Sequence, residues 1–150
     1  MVSLEVTIGG EGCRLVLHTH GYEFADEPPD HDDANWLLGR VELYAGQTGQ
    51  FTARQDVSLR TTELSRFRDE LRGILGALSG VATLEHLEDQ LGCEVHIENG
   101  KGQLKAFVRE HIGADLRVSE VPTDQSYLAS TVEQLDSVLV AFPVRRGSSP

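Results

Sequence analysis

One stretch in the middle of the chain constrains the fold more than any other feature. Between Thr62 and Leu78 the apolar residues recur every three or four positions, which places them in one stripe along a helix. A threonine, Thr61 or Thr62, is suited to cap the first amides of this helix, and Gly80 follows where a left-handed cap would end it. A helix with a single apolar face must cover another apolar surface, so it requires a sheet or a second helix beside it.

On both sides of this helix, apolar residues alternate with polar ones, which is the period of a half-buried strand. Glycine-rich or polar segments separate the alternating stretches, as expected for turns. Before the helix the pattern predicts strands over residues 4–8, 13–20, 36–45 and 50–59. After the helix it predicts strands around residues 81–84, 93–98, 104–108 and 115–121.

A second amphipathic helix is predicted near the end of the chain. Thr123 or Asp124 can cap it, and Pro143 cannot continue it. Its apolar stripe consists of Leu128, Val132, Leu135, Leu139 and Phe142. The order strands, helix, strands, helix does not fit a doubly wound parallel sheet. We therefore expect a single α+β domain over residues 1–150, in which antiparallel β-sheet packs with two amphipathic helices and residues 144–150 form a frayed tail.

The excess of acidic over basic side chains indicates which classes of partner the protein can bind. The chain has 24 acidic and 13 basic side chains, which gives a formal net charge of -11. A phosphate backbone or an anionic membrane surface would be repelled by this field, so we expect neither nucleic acid nor membrane as a partner. A basic protein or a cation suits the charge better, and the alternative is that the charge serves solubility alone.

The cysteines and the start of the chain bear on the compartment. Cys13 and Cys93 each lie in an apolar strand-like run, and we expect two buried, reduced thiols rather than a disulfide framework. The first ten residues lack a basic region followed by an apolar run, and no stretch approaches 18 apolar residues. We therefore expect a cytoplasmic protein.

The search for catalytic chemistry yields one metal hypothesis. His18 and His20 are two residues apart on a predicted strand, so both rings could point to the same side and reach one metal ion. The alternative is a solvent-facing histidine pair. No nucleophile elbow, Walker loop, dinucleotide fingerprint, HExxH or paired CxxC motif is present. We assign no catalytic residue, metal ligand or cofactor and expect a protein that is not an enzyme.

The irregular segment between the second and third predicted strands is acidic. It contains Asp30, Asp32 and Asp33 shortly before Trp36. These four residues are our prediction for a partner-binding surface, because an exposed tryptophan next to charged residues is a common anchor in interfaces. The alternative is a solvated loop with Trp36 packed into the core.

Several blocks of the chain resemble the WapI-type bacterial immunity proteins. The resemblance extends over most of the chain from about residue 22 and rests on apolar and turn positions. The matching blocks are Asp33-Ala34-Asn35-Trp36-Leu37, Gly49-Gln50-Phe51, the block from Leu59 to Leu78 with Glu63-Leu64, Phe67 and Leu71, Ala82-x-Leu84, Asp124-Gln125-Ser126-x-x-Leu128, and Leu135 to Pro143. This resemblance implies a small cytoplasmic protein that binds and neutralises a cognate toxin domain, and it supplies no functional residues.

Three functional hypotheses follow. The first is a non-enzymatic binding protein of the immunity type, with a basic toxin domain as its partner. The second is a small metal- or ligand-binding domain that uses His18 and His20. The third is a domain that forms homo-oligomers by pairing unsatisfied strand edges across a two-fold axis.

Overall fold

The computed structural model describes residues 4–146 of the chain and confirms the predicted α+β class and element order. The first four strands are β1 (Leu4–Gly10), β2 (Cys13–Tyr22), β3 (Trp36–Ala45) and β4 (Phe51–Arg60). Helix α1 (Thr61–Ala77) follows directly. The second half consists of β5 (Gly80–Leu84), β6 (Leu91–Glu98), β7 (Lys101–Arg109), β8 (Asp115–Thr123) and helix α2 (Gln125–Ala141). A short 3-10 helix, Asp32–Asn35, precedes β3.

The eight strands form two four-stranded sheets, and every pairing is antiparallel between neighbours in sequence. The first sheet has the order β1-β2-β3-β4 and the second has the order β5-β6-β7-β8. In the tightest hairpin of the second sheet, Asn99 and Gly100 connect β6 to β7 with φ angles of 52° and 78°. Asparagine and glycine tolerate these left-handed angles, which suit a two-residue hairpin turn.

The apolar faces of the two sheets and the two helices enclose one cluster of buried side chains. β3 approaches β7, while β1 and β4 approach β8, so the sheets are stacked on each other. The largest side chain in this cluster is Phe67 of α1, which is fully buried. The predicted helix stripes therefore point into the core.

Each helix lies along the edge of one sheet and bonds to backbone groups that no neighbouring strand can satisfy. In β1, the Thr7 amide donates to Gln134 Oε1 (2.7 Å) and the Thr7 carbonyl accepts from Thr131 Oγ1 (2.7 Å). In β5, the Thr83 amide donates to Glu70 Oε1 of α1 (2.9 Å). The helices thereby protect two edges from pairing with another chain, which leaves β4 and β8 as the other two edges.

The ends of the helices differ in part from the prediction. Asp124 caps α2 as expected, since its carboxylate accepts from the amide of Tyr127 (3.0 Å). Thr61 does not cap α1, because its hydroxyl donates to Asn35 Oδ1 (2.8 Å) and no side chain caps this helix. The left-handed residue at the end of α1 is Leu78, with φ of 58°, and Gly80 is already the first residue of β5.

Both cysteines are free and buried, which confirms that prediction. Burial raises the pKa of the Cys93 thiol to about 12. In the predicted frayed tail, residues 147–150 lie outside the described residues, whereas Val144 packs against the core. Among residues 4–146, no helix has the length and hydropathy needed to cross a membrane.

Candidate partner-binding site

Three of the four predicted site residues lie in the connection between β2 and β3, and the fourth, Trp36, is the first residue of β3. We call residues 23–35 the first acidic loop. Asp30 is exposed and Asp33 is partly buried, while the side chain of Asp32 lies outside what the structure describes. Trp36 is partly buried, and the Arg60 guanidinium lies 5.6 Å from its ring centroid, within range of a cation-π contact. Trp36 therefore supports a neighbouring side chain and presents only part of its surface to solvent.

The first acidic loop is held in place by a residue close to the C-terminal end of the described chain. Arg145 donates from Nε to the carbonyl of Ala34 (2.8 Å), from Nη1 to that of Ala25 (3.2 Å) and from Nη2 to that of Phe24 (3.0 Å). Its guanidinium also lies 4.2 Å from the ring centroid of Tyr22. These contacts satisfy three loop carbonyls with one cation, so the backbone of the loop is braced.

Asn35 completes this brace. Its Oδ1 accepts from the Arg145 amide (2.7 Å) and from Thr61 Oγ1 (2.8 Å), and its Nδ2 donates to the Arg145 carbonyl (3.0 Å). Asn35 thus connects the loop, the start of α1 and the segment after α2. A structural role therefore accounts for Asn35, which lies in one of the blocks that resemble the immunity proteins.

The structure shows a second acidic segment that the sequence analysis did not single out. We call residues 85–90, between β5 and β6, the second acidic loop. It contains three acidic residues, Glu85, Glu88 and Asp89, and all three are exposed. The two loops hold nine of the 24 acidic residues and none of the 13 basic ones. Since the remaining 131 residues hold 15 acidic and 13 basic side chains, the net charge of the protein resides mainly in these loops.

The two acidic loops meet at one residue of β4. Ser58 Oγ donates to Glu23 Oε2 of the first loop (2.8 Å), and the Ser58 carbonyl accepts from His86 Nε2 of the second (2.7 Å). The other ring nitrogen of His86 accepts from the amide of Gln90 (3.2 Å), which closes the second loop on itself. Segments 50 residues or more apart in sequence therefore lie at the same end of the first sheet.

Exposed apolar side chains lie among these carboxylates. Leu87 is 65% exposed, Leu38 of β3 is 48% exposed and Phe24 is 39% exposed. A hollow of about 500 Å³ is lined by Leu38 and Ser58 of the first sheet and by Glu88 of the second loop. This juxtaposition could not be predicted from the sequence, because it depends on how the β5–β6 connection crosses the end of β4.

A second hollow of about 500 Å³ lies between the start of α1 and the second acidic loop. It is lined by Glu63, whose side chain is only 16% exposed. Within the described residues, Glu63 Oε1 is buried and has no hydrogen-bond partner. Burial raises the pKa of Glu63 to about 7, and the positive charge of Arg60 opposes this rise only in part.

The two histidines of the metal hypothesis have different surroundings. A register shift between Thr19 and Gly21 interrupts the pairing of β2 with β3, and His20 lies at this irregularity. His18 is between two carboxylates, with Nε2 at 2.5 Å from Glu42 Oε1 and Nδ1 at 3.4 Å from Glu5 Oε1. Among residues 4–146, no group of three or more His, Cys, Asp and Glu side chains is arranged to hold a metal ion. No observation on the described chain favours the metal hypothesis.

Glu42 is the centre of a polar network on the outer face of the first sheet. Besides His18, its carboxylate accepts from the Tyr44 hydroxyl and from Arg54 Nε (3.1 Å). The hydrogen bond from Tyr44 contributes most to lowering the pKa of Glu42, and His18 and Arg54 lower it further, whereas burial acts in the opposite direction. The side chain of Glu42 is only 8% exposed, so a fully bonded carboxylate is enclosed on this face.

The outer face of the second sheet has a groove of about 600 Å³. Gly92 and Phe107 both line this groove. The Phe107 ring packs closely over Gly92, since a Cβ atom at position 92 would lie 2.6 Å from Phe107 Cε1. The Phe107 ring carries the guanidinium groups of Arg109 and Arg117 at 4.9 and 5.0 Å from its centroid. Arg109 pairs with Asp89 at 2.5 Å and Arg117 pairs with Asp115 at 3.4 Å, so these cations are neutralised locally.

Comparison with known proteins gives a family and a fold. The immunity protein WapI-like family matches residues 6–143. A solved structure of the plant transcriptional regulator PBF-2 is similar at a TM-score of 0.51 with 14% sequence identity, covering 95% of this chain and 83% of that chain. At this identity the likeness concerns the fold alone. No curated protein matches the chain.

Proposed function

Since this chain belongs to the immunity protein WapI-like family, we propose that it is a non-enzymatic protein that neutralises a cognate toxin domain by binding it. The family match over residues 6–143 is the observation that carries this proposal. We infer that this toxin domain is basic, because the excess of acidic over basic residues is concentrated in two loops that meet at Ser58.

The charge distribution supports a basic partner on physical grounds. A patch of one sign raises the rate at which an oppositely charged protein arrives, and it repels partners of the same sign. It also disfavours nucleic acid as the direct ligand, since phosphates would meet the same field. Neutralisation takes place in the cytoplasm, where an immunity protein must meet its toxin.

The first acidic loop is part of the proposed contact surface. Asp30, Asp32 and Asp33 supply charge, and Trp36 supplies a partly exposed aromatic surface beside Arg60. Because Arg145 braces the backbone of this loop, little conformational entropy is lost when a partner binds.

The test is to produce the chain together with the toxin domain encoded beside its gene. We expect the two proteins to co-purify, and we expect the dissociation constant measured by calorimetry to increase steeply between low and high salt. A purified toxin domain that retains its toxicity and does not bind the chain at low salt would overturn the proposed function. So would the absence of any toxin gene next to this one.

A further inference from the structure

We infer that the second acidic loop and Leu38 form, together with the first acidic loop, one continuous docking surface for a basic protein. This inference rests on the proposed function and adds the location of its binding surface. Leu87 and Leu38 are the apolar contacts of this surface, and Glu85, Glu88 and Asp89 are charged contacts around them.

Both loops are strongly acidic. The two loops comprise 19 residues, and nine of these are acidic while none is lysine or arginine. Glu85 is 68% exposed and lies 3.5 Å from Arg66, and Asp89 pairs with Arg109. Glu88 is exposed and forms no ion pair with a described residue. Arg66 and Arg109 therefore offset part of the charge of Glu85 and Asp89, and the negative potential comes mainly from Glu88 and from the acidic residues of the first loop.

The two loops adjoin each other at Ser58 of β4. Ser58 bonds to Glu23 of one loop and to His86 of the other, which fixes the distance between the loops. Leu38 is the residue opposite Ser58 in the pairing of β3 with β4. Leu38 therefore lies between the two loops, and the hollow that it lines with Glu88 is part of the same surface.

The surface also contains exposed apolar side chains. Interfaces derive most of their binding energy from a few apolar or aromatic side chains near the centre, with polar groups around them. Leu87 is 65% exposed and Leu38 is 48% exposed, and both are flanked by acidic residues of the second loop. This pattern fits a basic partner that presents an apolar residue between its cations.

Both loops are held in place by hydrogen bonds within the chain. Arg145 braces the first loop through three carbonyl groups. His86 is 9% exposed and fixes the second loop to β4 and to Gln90. Since neither loop has to become ordered on binding, the surface is ready to bind a folded protein.

The test compares variants of the full chain in titrations with the purified toxin domain encoded beside its gene. Glu88→Lys should weaken binding about tenfold at low salt, and this loss should shrink at high salt because the effect is electrostatic. Leu87→Ala should weaken binding about fivefold or more at either salt concentration, because the lost contact is apolar. Both side chains are exposed, so thermal unfolding should stay unchanged and serves as the check on folding.

Matched controls change charge or size elsewhere. Glu98→Lys makes the same charge change at the exposed far end of β6, and Val140→Ala shortens an 83% exposed side chain on α2. If the loop variants bind as these controls do, the docking surface is wrong while the proposed function stands. If the unmodified chain does not bind the toxin domain, the proposed function fails and the inference fails with it.

Discussion

Two regions of this protein each enclose a carboxylate, and they shift its pKa in opposite directions. On the outer face of the first sheet, Glu42 accepts hydrogen bonds from His18, Tyr44 and Arg54, and its pKa is lowered. In the hollow beside the second acidic loop, Glu63 has one buried oxygen without a hydrogen-bond partner among the described residues, and its pKa is raised to about 7. The exposed fractions are similar, at 8% for Glu42 and 16% for Glu63.

The difference shows that the exposed fraction of the side chain does not by itself determine the direction in which the pKa of a carboxylate shifts. Several side-chain hydrogen bonds to the charged form compensate for lost water at Glu42, whereas the charge of Arg60 and a backbone hydrogen bond from Leu87 do so only in part at Glu63. The hydrogen-bond partners of Glu42 are thus all side chains of this same chain. The second region borders the second acidic loop, because Glu85, His86 and Leu87 line the same hollow as Glu63.

The comparison predicts that Glu42→Ala has the largest effect on stability. This substitution leaves the Tyr44 hydroxyl and the His18 ring without their acceptor on a crowded sheet face. We expect a loss of about 2–3 kcal/mol in the free energy of unfolding at pH 7, measured by denaturant titration. Glu5→Ala is the control, because Glu5 also faces His18 but is 61% exposed, and its loss should be below about 1 kcal/mol. Equal losses in the two variants would refute the idea that hydrogen bonds at Glu42 organise this face.

The second prediction concerns Glu63→Gln and its dependence on pH. The folded protein raises the pKa of Glu63 from 4.5 to about 7, so it favours the protonated form. The associated stability is complete below pH 4.5 and is lost as the pH rises through 7. The variant should be more stable than the unmodified chain by about 1–3 kcal/mol at pH 8 and of similar stability at pH 5.

Thermal unfolding at several pH values between 5 and 8 measures this difference. Glu85→Gln is a suitable control, since Glu85 lines the same hollow but is 68% exposed. A Glu63→Gln variant that is less stable than the unmodified chain at pH 8 would show that the ionised carboxylate is stabilised in a way that the structure does not reveal.

The third prediction separates the donors around Glu42. The Tyr44 hydroxyl is the largest cause of the lowered pKa of Glu42, so Tyr44→Phe should move that pKa back towards 4.5. The stability that a lowered pKa provides is present above pH 4.5 and is lost as the pH falls through the folded value. We therefore expect Tyr44→Phe to cost about 1 kcal/mol at pH 7 and less in acid. Carboxyl chemical shifts followed by NMR would report the pKa directly, and an unchanged titration of Glu42 would contradict the assigned hydrogen bond.

The sequence was sufficient for the features that depend on local spacing. The stripe that includes Leu64, Phe67 and Leu71 predicted α1, because a helix brings residues three and four apart onto one face. Thr123 or Asp124 was predicted as the cap of α2, and Asp124 is the cap, since its carboxylate reaches an amide three residues later. The family resemblance was also readable, because it rests on such apolar and turn positions.

Features that depend on long-range contacts could not be predicted. Nothing local connects Glu23 to His86, and only the position of Ser58 at the end of β4 brings the two loops together. Thr61 or Thr62 was expected to cap α1, but no side chain caps this helix, and the Thr61 hydroxyl donates to the distant Asn35 instead. The sign of the pKa shift at Glu42 and Glu63 likewise depends on partners that tertiary structure supplies. The assignment of Asp30, Asp32, Asp33 and Trp36 to a binding surface stays a prediction.

The smallest expected effect concerns the arginine that is bonded to Glu42. Arg54 bonds to Glu42, but its side chain is 59% exposed, so water and salt screen its charge. Arg54→Gln should therefore lower the melting temperature less than Tyr44→Phe does, and the loss should vanish in 1 M salt, where screening acts over only about 3 Å. Glu63 shows why this order matters: Arg60 and Arg66 are close to it, yet its pKa is raised. If Arg54→Gln cost as much as Tyr44→Phe, the exposed arginine would keep Glu42 ionised as effectively as the Tyr44 hydroxyl does, and the assigned order of the causes at Glu42 would be wrong.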